Sequence, residues 1–257
     1  MNTQYLACSG SRDAQIFALH GFGGDGQDFT HLAAHSTFQW NCMDLLGHGK
    51  AYPYETPEAY RVEHQLELLA PYLCGDILLG YSMGARLALH TVLQYPKQWK
   101  GMVLISGTPG IEEDIQSRIL WDRELAHRLQ TSTKAEFWEY WSNLPIIKTQ
   151  QRADAQFLKA QQQRRKKQNL RALSASVLGF GTGTMPSVWS RLSEISIPVL
   201  LVVGEDDKKY TEIAIEMKKR MIHVDIFVVL NAGHAPHFEK PQECAQVIDR
   251  WISNLLL

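Results

Sequence analysis

Short apolar runs recur along the chain, and stretches with helical spacing separate them. "QIFAL" (15–19), "FQWNCMDL" (38–45), "DILLG" (76–80), "GMVLISG" (101–107), "IPVLLVVG" (197–204) and "DIFVVL" (225–230) have the length and content of strands. Residues 57–73 place Leu66, Leu69 and Leu73 on one face of a predicted helix. "MGARLALHTVLQY" (83–95) predicts another, a third falls near 209–221, and a last one runs from Pro241 to the C-terminus. Strands that are apolar throughout, rather than alternating, have both faces buried. Interleaved with helices, they predict an α/β fold, a doubly wound and mostly parallel sheet covered on both sides.

Residues 111–190 break this rhythm. They hold no convincing strand, read as helical, and are rich in aromatics, from Trp121 and Trp141 to Trp189. They carry 12 Lys and Arg against 8 Asp and Glu, in a chain of net charge −1. An independent helical domain would account for the interruption. An inserted lid accounts for it better, because the strand pattern resumes afterwards. The expected division is therefore a core of residues 1–110 and 191–257 with a helical lid at 111–190. Within the lid, "QQQRRKKQ" (161–168) is expected to be a solvated helix face.

Bulk properties narrow the function classes. The 257 residues suffice for a sizeable core, and a net charge of −1 gives no case for nucleic-acid binding. No apolar run approaches the roughly 20 residues that span a bilayer. The opening "MNTQYLACSG" has no basic n-region or long apolar stretch, so a cytoplasmic protein without membrane insertion is expected. Cys8, Cys42, Cys74 and Cys244 are widely spaced and expected to be reduced thiols. No metal-ligand spacing occurs, and no metal is expected.

The candidate chemistry centres on "GYSMG" (80–84), which fits G-x-S-x-G between a predicted strand and a predicted helix. Glycines permit the sharp turn that exposes Ser82, and the helix starting at Met83 aims its N–H groups at the same point. An activated serine needs a general base and an orienting acid. In doubly wound sheets such groups gather at the carboxyl ends of strands. "VVGEDDKKY" offers Asp206 and Asp207 there, and both could reach. "VVLNAGHAPH" offers His234, with His237 as the alternative base or else a surface or capping residue. Backbone N–H groups of Phe22, in the loop "HGFGGDG", and of Met83 would form an oxyanion site. His20 reads as structural and "GHGK" (47–50) as a turn. Arg86 lies one helical turn after Ser82, on the same face.

Together, these residues resemble the α/β-hydrolase superfamily from "HGFGG" (20–24) to "GHAPHFEKP" (233–241), nearly the whole chain. The stretch before the first clear strand is short, so about seven strands are expected, with at most one antiparallel. Within the superfamily, the chain resembles the 2-succinyl-6-hydroxy-2,4-cyclohexadiene-1-carboxylate synthases of menaquinone and phylloquinone biosynthesis. The resemblance rests on "GYSMGAR", "SGTPG" (106–110), "RILWDRELA" (118–126), Trp141 in "WSNLP", Arg165 four residues before Asn169, and "GTGTMPSVW" (181–189). It implies a cofactor-independent lyase that eliminates pyruvate from a small polycarboxylate. It also implies a triad of Ser82, Asp207 and His234, the pattern G-E-x-D selecting Asp207. Arg86, Arg118 and Arg165 would hold carboxylates, Arg164 being the alternative to Arg165, and Tyr81 and Trp141 would line the pocket. The competing readings are a serine hydrolase of small acidic esters, a C–C bond hydrolase, and a non-enzymatic binding protein.

Overall fold

The computed structural model describes the backbone of residues 2–6 and the whole of residues 14–257; Cys8 lies outside these. The sheet holds β1 (Asn2–Leu6), β2 (Gln15–Leu19), β3 (Gln39–Asp44), β4 (Ile77–Tyr81), β5 (Gly101–Ile105), β6 (Val199–Gly204) and β7 (Val224–Val229). Their spatial order is β1-β3-β2-β4-β5-β6-β7. All neighbours are parallel except β1, which pairs antiparallel with β3 as Asn2 opposite Asp44. Among the described residues the expected seven strands with one antiparallel member are met, the antiparallel one preceding the first clearly apolar run.

The unbroken apolar strands have the cause the pattern implies. Successive side chains of a strand face opposite sides. Phe17, Leu19, Leu78, Met102, Leu104, Leu201 and Val203 enter one core. Their alternates Ile16, Ala18, Ile77, Leu79, Val103, Ile105, Leu200 and Val202 enter the other. The first core is closed by α2 (Val62–Leu69), α3 (Met83–Gln94) and α9 (Lys208–Arg220). The second is closed by α1 (Thr30–Ala34) and the long C-terminal α11 (Pro241–Leu255), with α10 (Pro236–Glu239) just before it. β7, at the sheet's edge, is only partly buried. No helix among the described residues is long and apolar enough to cross a membrane. Cys42, Cys74 and Cys244 are free thiols.

One predicted helix is divided. Residues 57–73 form a 3-10 turn at Pro57–Tyr60, then α2, then a second 3-10 turn at Ala70–Tyr72. Pro71 has no N–H to donate, so α2 cannot continue through it.

Between β5 and β6 the chain forms α4 (Ile115–Thr131), α5 (Lys134–Ser142), α6 (Pro145–Lys148), α7 (Ala155–Arg165) and α8 (Leu170–Phe180). Local signals set their starts. Thr133 and Glu136 form a reciprocal capping box on α5. Asp154 caps α7 and Asn169 caps α8. Leu125, Leu129, Phe137, Trp141, Leu170, Leu173 and Val177 give this insert a small core of its own. The run 161–168 is only in part the solvated face expected of it: Gln162, Gln163, Lys166 and Lys167 are exposed, and the rest of the run is not. Gln161, Arg164 and Arg165 share one face of α7, Gln168 follows in the turn after the helix, and these side chains turn inward. Gln161 and Arg164 reach Asp28, and Gln168 donates to the Gly24 carbonyl. A buried stripe made of polar residues carries no hydrophobic signature.

One of the closest backbone approaches among the described residues is at Gly84, where a Cβ would stand 2.0 Å from the Leu19 carbonyl oxygen and 2.7 Å from that of His20. Both obstacles are backbone. Gly84→Ala is expected to destabilise the protein by about 2–3 kcal/mol or more, read as a lowered midpoint in urea unfolding.

Candidate active site

The parallel strands diverge in order at β2 and β4, and a crevice opens at their carboxyl ends. The loop carrying Phe22 leaves β2 there, and Ser82 leaves β4. Ser82 has φ 49° and ψ −104°, a conformation that costs a non-glycine residue about 1–3 kcal/mol. The surroundings enforce it. The Ser82 N–H donates to the Ile105 carbonyl at 2.9 Å, and the Arg86 N–H donates to the Ser82 carbonyl at 3.2 Å. A Cβ on Gly80 would stand 2.5 Å from the Gly84 carbonyl oxygen, so neither flanking glycine admits a side chain.

Two loops from the far half of the sheet complete a hydrogen-bonded chain. His234 Nε2 lies 3.0 Å from Ser82 Oγ, and His234 Nδ1 lies 2.6 Å from Asp207 Oδ2. With Nδ1–H donating to the carboxylate, Nε2 presents its lone pair to the hydroxyl. The Tyr210 ring packs edge-on against the imidazole at 4.4 Å. Of the two adjacent acids, Asp206 turns outward and takes the Arg152 guanidinium instead. His237 is neither a second base nor a surface or capping residue. The short α10 turns it into the core, 4.3 Å from the Tyr81 ring and 4.1 Å from that of Phe238. Burial, with His234 adding to it, lowers its pKa to about 3, so it stays neutral.

Phe22 and Met83 both line the cavity that reaches Ser82. Among the described residues neither backbone N–H has a protein acceptor, and Met83, as the first residue of α3, has none within the helix. His20 holds the Phe22 loop. Its Nε2 accepts the Leu45 N–H at 3.0 Å, which leaves Nδ1–H to donate to the Gly21 carbonyl at 2.7 Å. The residues 47–50 do form a turn, with Gly47 and Gly49 at positive φ.

The cavity wall is cationic and aromatic: Arg86, Arg118, Arg165, Tyr81, Trp121 and Trp141 all line it. Their partners differ in kind. Arg118 donates Nε–H to Asp122 Oδ1 at 2.9 Å and lies 4.5 Å from the Trp121 ring centroid. Arg86 donates to the Phe180 carbonyl at 2.6 Å and has no carboxylate partner among the described residues. Arg165 likewise has none and stands 5.4 Å from the Trp138 ring centroid. Its neighbour Arg164 faces away from the cavity, paired with Asp25 and Asp28. Burial lowers the Arg86 pKa to about 10, with Arg118 adding to the effect, and burial also holds Arg165 below its ordinary value.

Several lining residues escaped the sequence reading. Gln150 donates to the Tyr81 hydroxyl at 3.3 Å, and Asp28, Tyr210 and Phe238 also face the cavity. Gln150 and Asp28 sit in polar stretches without motif or period, and only the fold brings them to the site.

A serine on a strained strand-to-helix turn, a histidine and an acid from successive strand ends define the class. The chain belongs to the alpha/beta hydrolase family, whose pattern matches residues 16–247. It is 34% identical over 248 residues, 93% of this chain and 90% of the relative, to a Bacillus subtilis (strain 168) protein provisionally named 2-succinyl-6-hydroxy-2,4-cyclohexadiene-1-carboxylate synthase. It is 27% identical over 232 residues to the synthase of that name from Enterobacter sp. (strain 638), covering 88% of this chain and 87% of the relative. The solved structure of MenH from S. aureus matches 99% of both chains with a TM-score of 0.91 at 26% identity. Within the family, the chain groups with these synthases.

The two unpaired arginines bear on stability. A base whose folded pKa lies below its unfolded value destabilises the folded state at pH 7, and relief comes only as pH rises past the folded pKa. Arg165→Met is therefore expected to leave the thermal midpoint unchanged or raise it by a few degrees, while binding of a polycarboxylate weakens. Differential scanning fluorimetry beside a binding titration checks both halves.

Proposed function

We propose that this chain is a 2-succinyl-6-hydroxy-2,4-cyclohexadiene-1-carboxylate synthase. It eliminates pyruvate from 2-succinyl-5-enolpyruvyl-6-hydroxy-3-cyclohexene-1-carboxylate, with Ser82, His234 and Asp207 as its catalytic triad and without a cofactor. The observation that carries this reading is that Arg86 and Arg165 enter the same cavity as Ser82 without a carboxylate partner among the described residues. A guanidinium drawn partly out of water without a counter-charge is costly, and a substrate with several carboxylates supplies bidentate partners. An esterase acting on neutral substrates needs no such cations beside its serine.

The geometry supports the following course for the reaction. His234 Nε2, 3.0 Å from Ser82 Oγ, draws the hydroxyl proton as that oxygen removes the acidified ring proton beside the succinyl carbonyl. The electron pair moves through the ring, shifts its double bond into conjugation and breaks the carbon–oxygen bond to the enolpyruvyl group. Asp207, 2.6 Å from Nδ1, stabilises the imidazolium formed. The Phe22 and Met83 N–H groups stabilise charge on the carbonyl oxygen as it becomes enolate-like. The proton held by His234 passes to the departing enolate, which leaves as pyruvate. No water is consumed and no acyl-enzyme forms. The helices between β5 and β6 act as a lid, bringing Arg118, Trp141 and Arg165 over the ring.

Pyruvate release from the cyclohexene substrate, coupled to lactate dehydrogenase, tests the reading beside a nitrophenyl ester. Ser82→Ala is expected to lower kcat by at least about a thousandfold, and Arg86→Ala to raise KM roughly ten- to a hundredfold. Rapid ester turnover without pyruvate release would reject it, as would an Arg86→Ala enzyme with unaltered kcat and KM.

A further inference from the structure

The 3-10 turn Thr149–Arg152, between α6 and α7, meets the core at three points with a common property. Each contact falls on the residue immediately before a member of the Ser82–His234–Asp207 chain. Thr149 packs on Gly233 so closely that a Cβ there would lie 2.1 Å from the threonine hydroxyl. Gln150 donates to the Tyr81 hydroxyl at 3.3 Å. Arg152 pairs with Asp206 and donates to the Asn231 carbonyl at 3.3 Å. Arg152 also stands 3.8 Å from Glu239, whose buried carboxylate accepts the Gly233 N–H at 3.0 Å. One cation therefore ties together the loop after β6, the loop after β7 and the start of the C-terminal helices.

We infer that this turn is a brace for the triad, with Arg152 as a positioning residue acting through Asp206 and Glu239. The inference rests on the assignment of Ser82, His234 and Asp207 as the triad, and extends it to residues that touch neither substrate nor reacting atoms. The need for a brace is geometric. Asp207 and His234 stand on loops from the last two strands, and among the described residues β7 has no strand beyond it in the sheet. Asn231 turns one of these loops in the left-handed region, φ 53°, and its carbonyl is one of the groups that Arg152 holds. Proton transfer between Ser82 and His234 depends on a separation of 3.0 Å, and a displacement of about 1 Å can cost on the order of a hundredfold in rate. Arg152 and Asp206 are both substantially exposed, so their pairing contributes little to global stability. Their effect is expected on reactivity instead.

Labelling of Ser82 by a fluorophosphonate, timed by intact-protein mass spectrometry, reads triad geometry without reference to the natural substrate. Arg152→Ala is expected to label about five- to twentyfold more slowly at an unchanged thermal midpoint, with Arg152→Lys recovering much of the rate. Asp206→Asn should slow labelling similarly, and the double variant should be no slower than the slower single one. Arg191→Ala, which breaks the exposed pair with Glu194 outside the cavity, should label at the wild-type rate. In pyruvate release, kcat should fall in Arg152→Ala while KM stays within about twofold. Wild-type labelling rates in both Arg152→Ala and Asp206→Asn would overturn the brace, as would singles that add fully in the double variant. Should wild-type protein release no pyruvate, the substrate assignment falls and the labelling series still decides the brace.

Discussion

The first turn of α3 presses against the carboxyl end of β2, and the rest of the site takes its geometry from that contact. Because Gly84 has no side chain, the helix start sits directly on the carbonyl oxygens of Leu19 and His20. The Phe22 loop, which leaves β2 two residues later, therefore shares a wall with Ser82 and Met83. Hydrogen bonds from His20 to the backbone at Gly21 and Leu45 keep that loop from moving off. The strained dihedrals of Ser82 follow from the same approach: the strand must reverse into the helix within one residue.

Several features of this site oppose folding. Ser82 occupies a sparsely populated backbone region, Arg86 and Arg165 are half-buried with no carboxylate partner among the described residues, and Asp25 sits beside Asp28 with its pKa raised to about 6, by burial first and its acidic neighbour second. The two cores on either side of the sheet supply the compensating stability. Such a division, with a well-packed scaffold and a costly site, is the ordinary arrangement where binding demands charge in a dry place.

Much of this was legible in the sequence because two periodicities are hard to disguise. Apolar runs such as 199–204 declare a strand buried on both faces, and G-x-S-x-G between strand and helix declares the elbow at Ser82. The order of Asp207 and His234 behind later strands, and the arginine one turn after the serine, could be read as well. What could not be read shares a physical character. Gln161 and Arg164 on α7, and Gln168 in the turn after it, point inward with no apolar residue to mark them. The chemistry of the residues alone does not separate Asp206 from Asp207, which differ only in which way a short loop turns them; the choice of Asp207 comes from the resemblance. His237, a polar residue in a small-residue loop, looked like surface and is core because α10 rotates it beneath Tyr81. Gln150 reaches the site across 69 residues of chain.

The inward polar face of α7 bears on how this architecture diversifies. Gln161, Arg164 and Gln168 hold Asp28 and Gly24, and Gln168 also accepts the Gly49 N–H. These are the supports of the loop that carries Phe22. The segment between β5 and β6 is thus not a detachable cap on an autonomous scaffold, since it completes the hydrogen bonding of the core's own loop. Transplanting a foreign helical segment into this chain would strand buried carboxylates and carbonyls as well as change the pocket. New specificities in this lineage are accordingly more accessible through substitutions in place, at positions such as Trp121 or Ile146, than through recombination of whole segments.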